Sequence, residues 1–244
     1  MMKKLLMVMV TFAACVAAQA MEMGDTIVIV NGDTVKHVKD GGKKADKYKL
    51  NDFLDLDVAF GAVAPLGGPD NISFGLRPHE WTLGLRYKFS PKKSLQTYSV
   101  GLWCKWARYT LKGDELFYRD DATKEVLVDK FPDTASDKYA SIHIFSLSVP
   151  FFFTQRLGKK SDWKLTLGPV LNFNVKGSLA SSYEVGDYEY ENYVKGIKYR
   201  PVTIDIMGMV TYKEVSVYFK YAPMNVLKKD KGPQFHSLSF GVFL

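Results

Sequence analysis

Apolar residues alternate with polar or small ones along most of the chain beyond residue 53. A period of two puts successive side chains on opposite faces of a strand, so each alternating run predicts one strand. The first covers about residues 53–62, with Leu54, Leu56, Val58 and Phe60 on one face and Asp55, Asp57, Ala59 and Gly61 on the other. The second, about 80–89, sets Trp81, Leu83, Leu85, Tyr87 and Phe89 against Thr82, Gly84, Arg86 and Lys88. The third, about 95–111, sets Tyr98, Val100, Leu102, Cys104 and Trp106 against Ser99, Gly101, Trp103, Lys105 and Ala107. The fourth, about 139–154, carries Phe145, Leu147, Val149, Phe151 and Phe153 opposite Ser146, Ser148, Pro150 and Phe152. A proline lacks the ladder donor, and a bulge is the expected accommodation at Pro150. The fifth, about 162–176, alternates from Trp163 and Leu165 to Phe173 and Val175. The sixth and seventh, about 199–212 and 214–222, read as a hairpin joined near Lys213. The eighth ends the chain, with Leu238, Phe240, Val242 and Leu244 opposite Ser237, Ser239, Gly241 and Phe243.

The connections carry a second, independent signal. They are short after the second, fourth and sixth strands, with turn residues at 90–94 and 158–161. They are long after the others, at about residues 63–79, 112–138, 177–198 and 223–234. Alternating short and long connections are the habit of membrane-spanning barrels, which have short periplasmic turns and longer outer loops. The polarity agrees. The less apolar face carries Asp55, Asp57, Arg86, Lys88, Lys105, Asp205 and Lys220, too many charges for the dry core of a soluble barrel. No run after the first twenty residues approaches the length of a membrane helix, and a closed barrel is the other structure that satisfies its backbone in lipid. The expected fold is therefore all-β, a transmembrane antiparallel up-and-down β-barrel of about eight strands. An even strand number returns both chain ends to the periplasmic side.

Three short segments resemble a known family. Leu147-Ser148-Val149-Pro150-Phe151-Phe152-Phe153 looks like the "L-x-I-P-L-L-L" strand of PorT-like outer-membrane β-barrels of gram-negative bacteria. Leu167-Gly168-Pro169-Val170-Leu171-Asn172 is similar to that family's following "a-G-P-x-l-g" strand. Lys220-Tyr221-Ala222-Pro223-Met224-Asn225 resembles the end of its penultimate strand, and the likeness covers about residues 50–244. It implies a single eight-stranded barrel with an exported precursor and no catalytic residues. It also implies that Pro150 and Pro169 are recurring features.

The N-terminus fits export. Lys3 and Lys4 precede a short apolar run, Leu5 to Phe12, and Ala18-Gln19-Ala20 is a cleavage signature. Residues 1–20 read as a signal peptide and 21–50 as a periplasmic extension. Within that extension Thr26–Val30 and Thr34–Val38 flank Asn31-Gly32-Asp33 as a small hairpin. Phe12-Ala13-Ala14-Cys15 loosely matches an acylation box, so a lipidated Cys15 is the alternative to simple cleavage. Cys104 is the one other cysteine, which excludes a disulfide scaffold. It reads as a small lipid-facing filler. Aromatics make up 14% of the chain, enough to build the interfacial girdles of such a barrel. The formal charge of +7 comes with no basic helix or RNA-binding signature, so nucleic acid is not an expected partner.

The charged face supplies the candidate site. An eight-stranded barrel has an interior that side chains just fill. There Asp55, Asp57 and Asp205 are expected to pair with Arg86, Lys88, Lys105 and Lys220 as a structural lumen network. No cofactor or metal site is expected. His79, His143 and His236, with Glu80, fall near the outer rim, where a hydrolase site would need a Ser or Asp to join them. Tyrosines and carboxylates crowd 183–193, a composition suited to a protein or glycan ligand. The expected function is a non-enzymatic integral outer-membrane protein, structural, adhesive or ligand-binding through its outer loops. A narrow channel and a rim-site hydrolase are the alternatives. Expected partners are outer-membrane lipid and lipopolysaccharide, and the barrel-insertion machinery that reads the last strand.

Overall fold

The structure, a computed structural model, describes residues 28–30, 34–36, 54–67, 78–91, 94–111 and 114–244. Residues 1–20, expected to be a signal peptide, with Cys15 among them, and the linker before the first long strand lie outside these residues. Strands β1 (Val28–Val30) and β2 (Thr34–Lys36) pair antiparallel across the Asn31-Gly32-Asp33 segment and belong to a unit separate from the rest.

The second unit is all-β. Its long strands are β3 (Leu54–Leu66), β4 (Pro78–Phe89), β5 (Gln96–Thr110), β8 (Ser136–Arg156), β9 (Trp163–Val185), β11 (Val202–Tyr212), β12 (Val215–Ala222) and β13 (His236–Phe243). Each pairs antiparallel with the next in chain order. The pairing of β13 with β3, from His236↔Leu66 to Phe243↔Ala59, closes eight strands into a ring. Leu244 extends that seam, exchanging backbone hydrogen bonds with Val58. Between these strands lie β6 (Glu115–Arg119), β7 (Val126–Lys130) and β10 (Tyr188–Lys195).

Two glycine contacts fit the backbone to its contents. Gly61 pairs with Gly241 across the closing seam. A Cβ on Gly61 would lie 2.9 Å from Cζ of Tyr218, whose ring is buried inside the ring of strands. Gly101 does the same for Pro150: a Cβ there would lie 3.0 Å from Pro150 Cγ and 2.7 Å from the Leu85 carbonyl oxygen. Pro150 is fully buried, and it is not accommodated by the expected bulge. The β5–β8 register holds from Val100↔Phe151 to Trp103↔Ser148, with the two positions between them unpaired. The missing donor is thus absorbed by an in-register gap, and Gly101 vacates the space for the pyrrolidine ring. The register shifts of β8 against β9 lie elsewhere, between Ser136 and Tyr139 and between Phe145 and Ser146.

Two of the expected long loops are largely strand. β9 continues past residue 176 to Val185, turns at Gly186-Asp187, and returns as β10 in register with itself. The 112–138 connection holds the β6–β7 hairpin. The sixth strand begins at Val202, not 199, because Tyr199 leaves the ladder to bridge Leu227. These segments fold together at the long-connection end. Phe117, Val126, Phe131, Ile142, Leu179, Leu227 and Phe235 form their apolar core. Backbone hydrogen bonds such as Val126 N to Lys231 O and Arg200 N to Val226 O tie one connection to the next. Burying apolar area at roughly 25 cal/mol per Å2 is what lets such connections hold a fixed shape. They form a cap with its own core.

Candidate functional site

The ring is polar inside and apolar outside. Alternation sets this: Leu56, Leu167 and Val217 on the outer face are 65%, 58% and 59% exposed, while Asp57, Asp205 and Lys220 on the inner face are 1%, 2% and 4% exposed. Cys104 falls on the outer face, paired with Leu83 and Leu147.

The interior charges form two clusters rather than one network. Near the short-turn end, Lys88 Nζ lies 2.7 Å from Asp55, and Arg86 Nη2 lies 3.5 Å from Asp55 and 2.9 Å from Asp57. The indole N–H of Trp103 donates to the other Asp57 oxygen at 2.7 Å. The Arg86 guanidinium also lies over the rings of Phe243 and Phe152, at 5.3 and 5.8 Å from their centroids. Asp57 therefore has both oxygens occupied, as a buried carboxylate requires.

Above this cluster an apolar layer crosses the interior, built from Trp103, Phe152, Val170, Met207, Tyr218 and Phe243. It divides the charges into two groups. Beyond it lies the second cluster. Lys105 Nζ donates to Asp205 Oδ2 at 3.0 Å. Lys220 Nζ lies 3.9 Å from the same oxygen and donates to Glu80 Oε1. Tyr218 and Ser239 hydroxyls lie 3.4 Å from the Glu80 carboxylate. The ion pairs of each cluster join two cations to two anions. The space beside the second cluster is a cavity of about 20 Å3, room for about one water molecule.

The structure places all seven sequence-derived charges on the inner face, and it adds Glu80. That residue is 4% exposed and pairs with Lys220, so it is an interior residue and not a rim residue. Of the three expected rim histidines, the side chain of His79 lies outside the described residues. His236 opens β13, and His143 lies within β8 on its outer face. A serine does meet His143: Ser141 Oγ is 2.7 Å from Nε2, and it also donates to Tyr139 Oη at 2.9 Å. Ser141 is fully buried, which keeps a substrate carbon from its oxygen. Among the described residues, no group of His, Cys, Asp and Glu is arranged to hold a metal ion.

The tyrosine- and carboxylate-rich segment is a β-hairpin. Tyr183 and Tyr190 stack at 5.1 Å between ring centroids, and Phe131 meets Tyr183 edge-on at 5.5 Å. Those two tyrosines serve the cap's packing. Tyr188, 73% exposed, is the one most open to solvent.

Aromatic side chains on the outer face form two rows. Trp81, Trp106 and Phe145 are directly opposed on β4, β5 and β8, with Trp106 and Phe145 centroids 5.2 Å apart. Phe89, Tyr98 and Phe153 repeat the arrangement on the same three strands, at 5.4 and 5.5 Å. On each strand the two rows stand eight residues apart: 81 to 89, 106 to 98, 145 to 153. At about 3.4 Å per residue that is roughly 27 Å along the strands, or about 20 Å vertically for the usual barrel tilt. Compared with known proteins, the chain matches no family model, and no curated protein sequence matches it.

Proposed function

We propose that this protein is an integral outer-membrane β-barrel of the PorT-like kind, non-enzymatic, which holds a folded cap at the outer surface as its working part. The observation that carries this reading is the reversed polarity of the ring. Its outer face exposes a continuous band of Leu, Val, Ile and Phe, bounded over three strands by the two aromatic rows. Water leaves no reason for such a band, whereas lipid requires it. The spacing of the rows is close to the apolar height of a barrel embedded in a bilayer. On this reading the short turns are periplasmic and the cap is extracellular, structural or adhesive in role. The barrel-insertion machinery reads the β13 strand, and outer-membrane lipid and lipopolysaccharide surround the wall.

The filled interior favours this over a channel. Two ion-paired charge clusters and an intervening apolar layer offer ions no continuous polar path. The test is gel mobility of the membrane-extracted protein with and without boiling. A closed barrel resists detergent unfolding and should migrate differently before heating. Identical mobility in the two samples overturns the reading.

A further inference from the structure

Where the upper aromatic row meets the cap, the outer wall carries a groove of about 470 Å3. Its lower side is apolar, formed by Trp81, Trp106 and Phe145. Its upper side is cationic, formed by Arg108 and Lys176 with Tyr193 between the strands. The register explains the juxtaposition. Arg108 is two residues beyond Trp106 on the same face of β5, and Lys176 pairs directly with Phe145. Lys195 adds a third positive charge, with Nζ 5.7 Å from the Tyr193 ring centroid. The Tyr193 hydroxyl donates to Ser178 at 3.0 Å, which fixes the ring beside the groove. Among the described residues, neither Arg108 nor Lys176 has a carboxylate within ion-pair distance. Inside the ring, by contrast, Arg86, Lys88, Lys105 and Lys220 each meet a carboxylate.

We propose that this groove binds a phosphate-bearing lipid, its phosphate held by Arg108 and Lys176 and its acyl chains lying over Trp81, Trp106 and Phe145. The inference rests on the membrane placement proposed above. Three features favour a lipid over a soluble anion. Arg108 stands two residues beyond the apolar row on β5 and Lys176 stands beside it, opposite Phe145, at the level where a headgroup meets its chains. Trp81 and Trp106 below them are 55% and 46% exposed. Arginine and lysine together suit a phosphate monoester, one as a planar fork and the other as a point charge.

The test uses the full chain carrying Trp163→Phe, which leaves two tryptophans at the groove and Trp103 inside. The protein is reconstituted in phosphatidylcholine vesicles containing either dibrominated phosphatidic acid or dibrominated phosphatidylcholine. Bromine quenches the groove tryptophans on contact. The anionic lipid should reach half-quenching at a mole fraction lower by about fivefold for each cation engaged. Arg108→Gln with Lys176→Gln should abolish that preference while the protein keeps its heat-modifiable mobility. Equal quenching by both lipids overturns the proposal, as does a preference that survives the double substitution. Loss of the preference on adding inorganic phosphate would show a site for free phosphate, which also overturns it. If neither lipid quenches, the membrane placement itself fails and this site falls with it, so the two failures are distinguishable.

Discussion

Replacing Lys220 by Met leaves Glu80 and Asp205 with a single cation, Lys105. The second cluster then carries an uncompensated negative charge inside the ring. At the 3.9 Å separation from Asp205, and an effective dielectric constant near 20, the lost attraction to that residue alone is about 4 kcal/mol. The closer contact with Glu80 contributes at least as much. Against this stands the relief of burying one ammonium fewer, worth several kcal/mol. The difference should fall near the usual cost of breaking a buried pair, about 3–5 kcal/mol. Glu80→Gln should cost a similar amount, because it leaves Lys105 and Lys220 sharing Asp205. The double variant removes one charge of each sign and leaves the Lys105–Asp205 pair intact. It should lie within about 1 kcal/mol of the parent protein. The assay is equilibrium unfolding in guanidinium with lipid vesicles present, followed by tryptophan emission. The reasoning fails if Lys220→Met alone is within about 1 kcal/mol of the parent. It fails equally if the double variant is as unstable as the sum of the singles.

Three further outcomes follow from the same geometry. Leu85 stands midway between Trp81 and Phe89 on the outer face, and Leu85→Arg should destabilise the lipid-embedded protein by about 2–4 kcal/mol in that unfolding assay; no effect would mean that this face meets water. Gly101→Val should cost about 1–3 kcal/mol, because its side chain would occupy the space of Pro150, and a companion Pro150→Ala should recover part of the loss. Phe117→Ala, in the cap core, should cost the cap about 3–5 kcal/mol and expose the outer connections to protease. The ring should keep its heat-modifiable mobility, and loss of that mobility would show that cap and ring unfold as one unit.

Most of the ring was legible because its signal is local. The eight alternating runs correspond to the eight ring strands, and their phase placed Asp55, Asp57, Arg86, Lys88, Lys105, Asp205 and Lys220 on the inner face. Glu80 was also within reach. It has the same parity as Thr82, Gly84, Arg86 and Lys88, but its position at the edge of the run made it read as rim. The pairings were not legible. Lys220 meets Glu80 across 140 positions of sequence and Lys105 meets Asp205 across 100, and these separations are resolved only by strand register. The apolar layer between the clusters was hidden because Trp103, Phe152 and Tyr218 sit on the face that charge had marked as polar. The cap was missed for a different reason. Leu116-Phe117-Tyr118 and Val126-Leu127-Val128 are too short to show a period, and the Tyr-Glu alternation of 188–191 reads as solvated loop. Their burial comes from neighbouring connections, a tertiary effect that no local pattern announces.

The outward face of the ring is tested most directly by its own tryptophans. Trp81, Trp106 and Trp163 lie on the outer face about half exposed, and Trp103 is 3% exposed inside. The parent protein and a variant with Phe at 81, 106 and 163 would be reconstituted in dibrominated phosphatidylcholine and in its unbrominated counterpart. Emission of the parent should fall to the share contributed by Trp103, and emission of the Trp103-only variant should be the same in both lipids. Equal parent emission in the two lipids would contradict the account, as would quenching of Trp103 to the same degree as the other three.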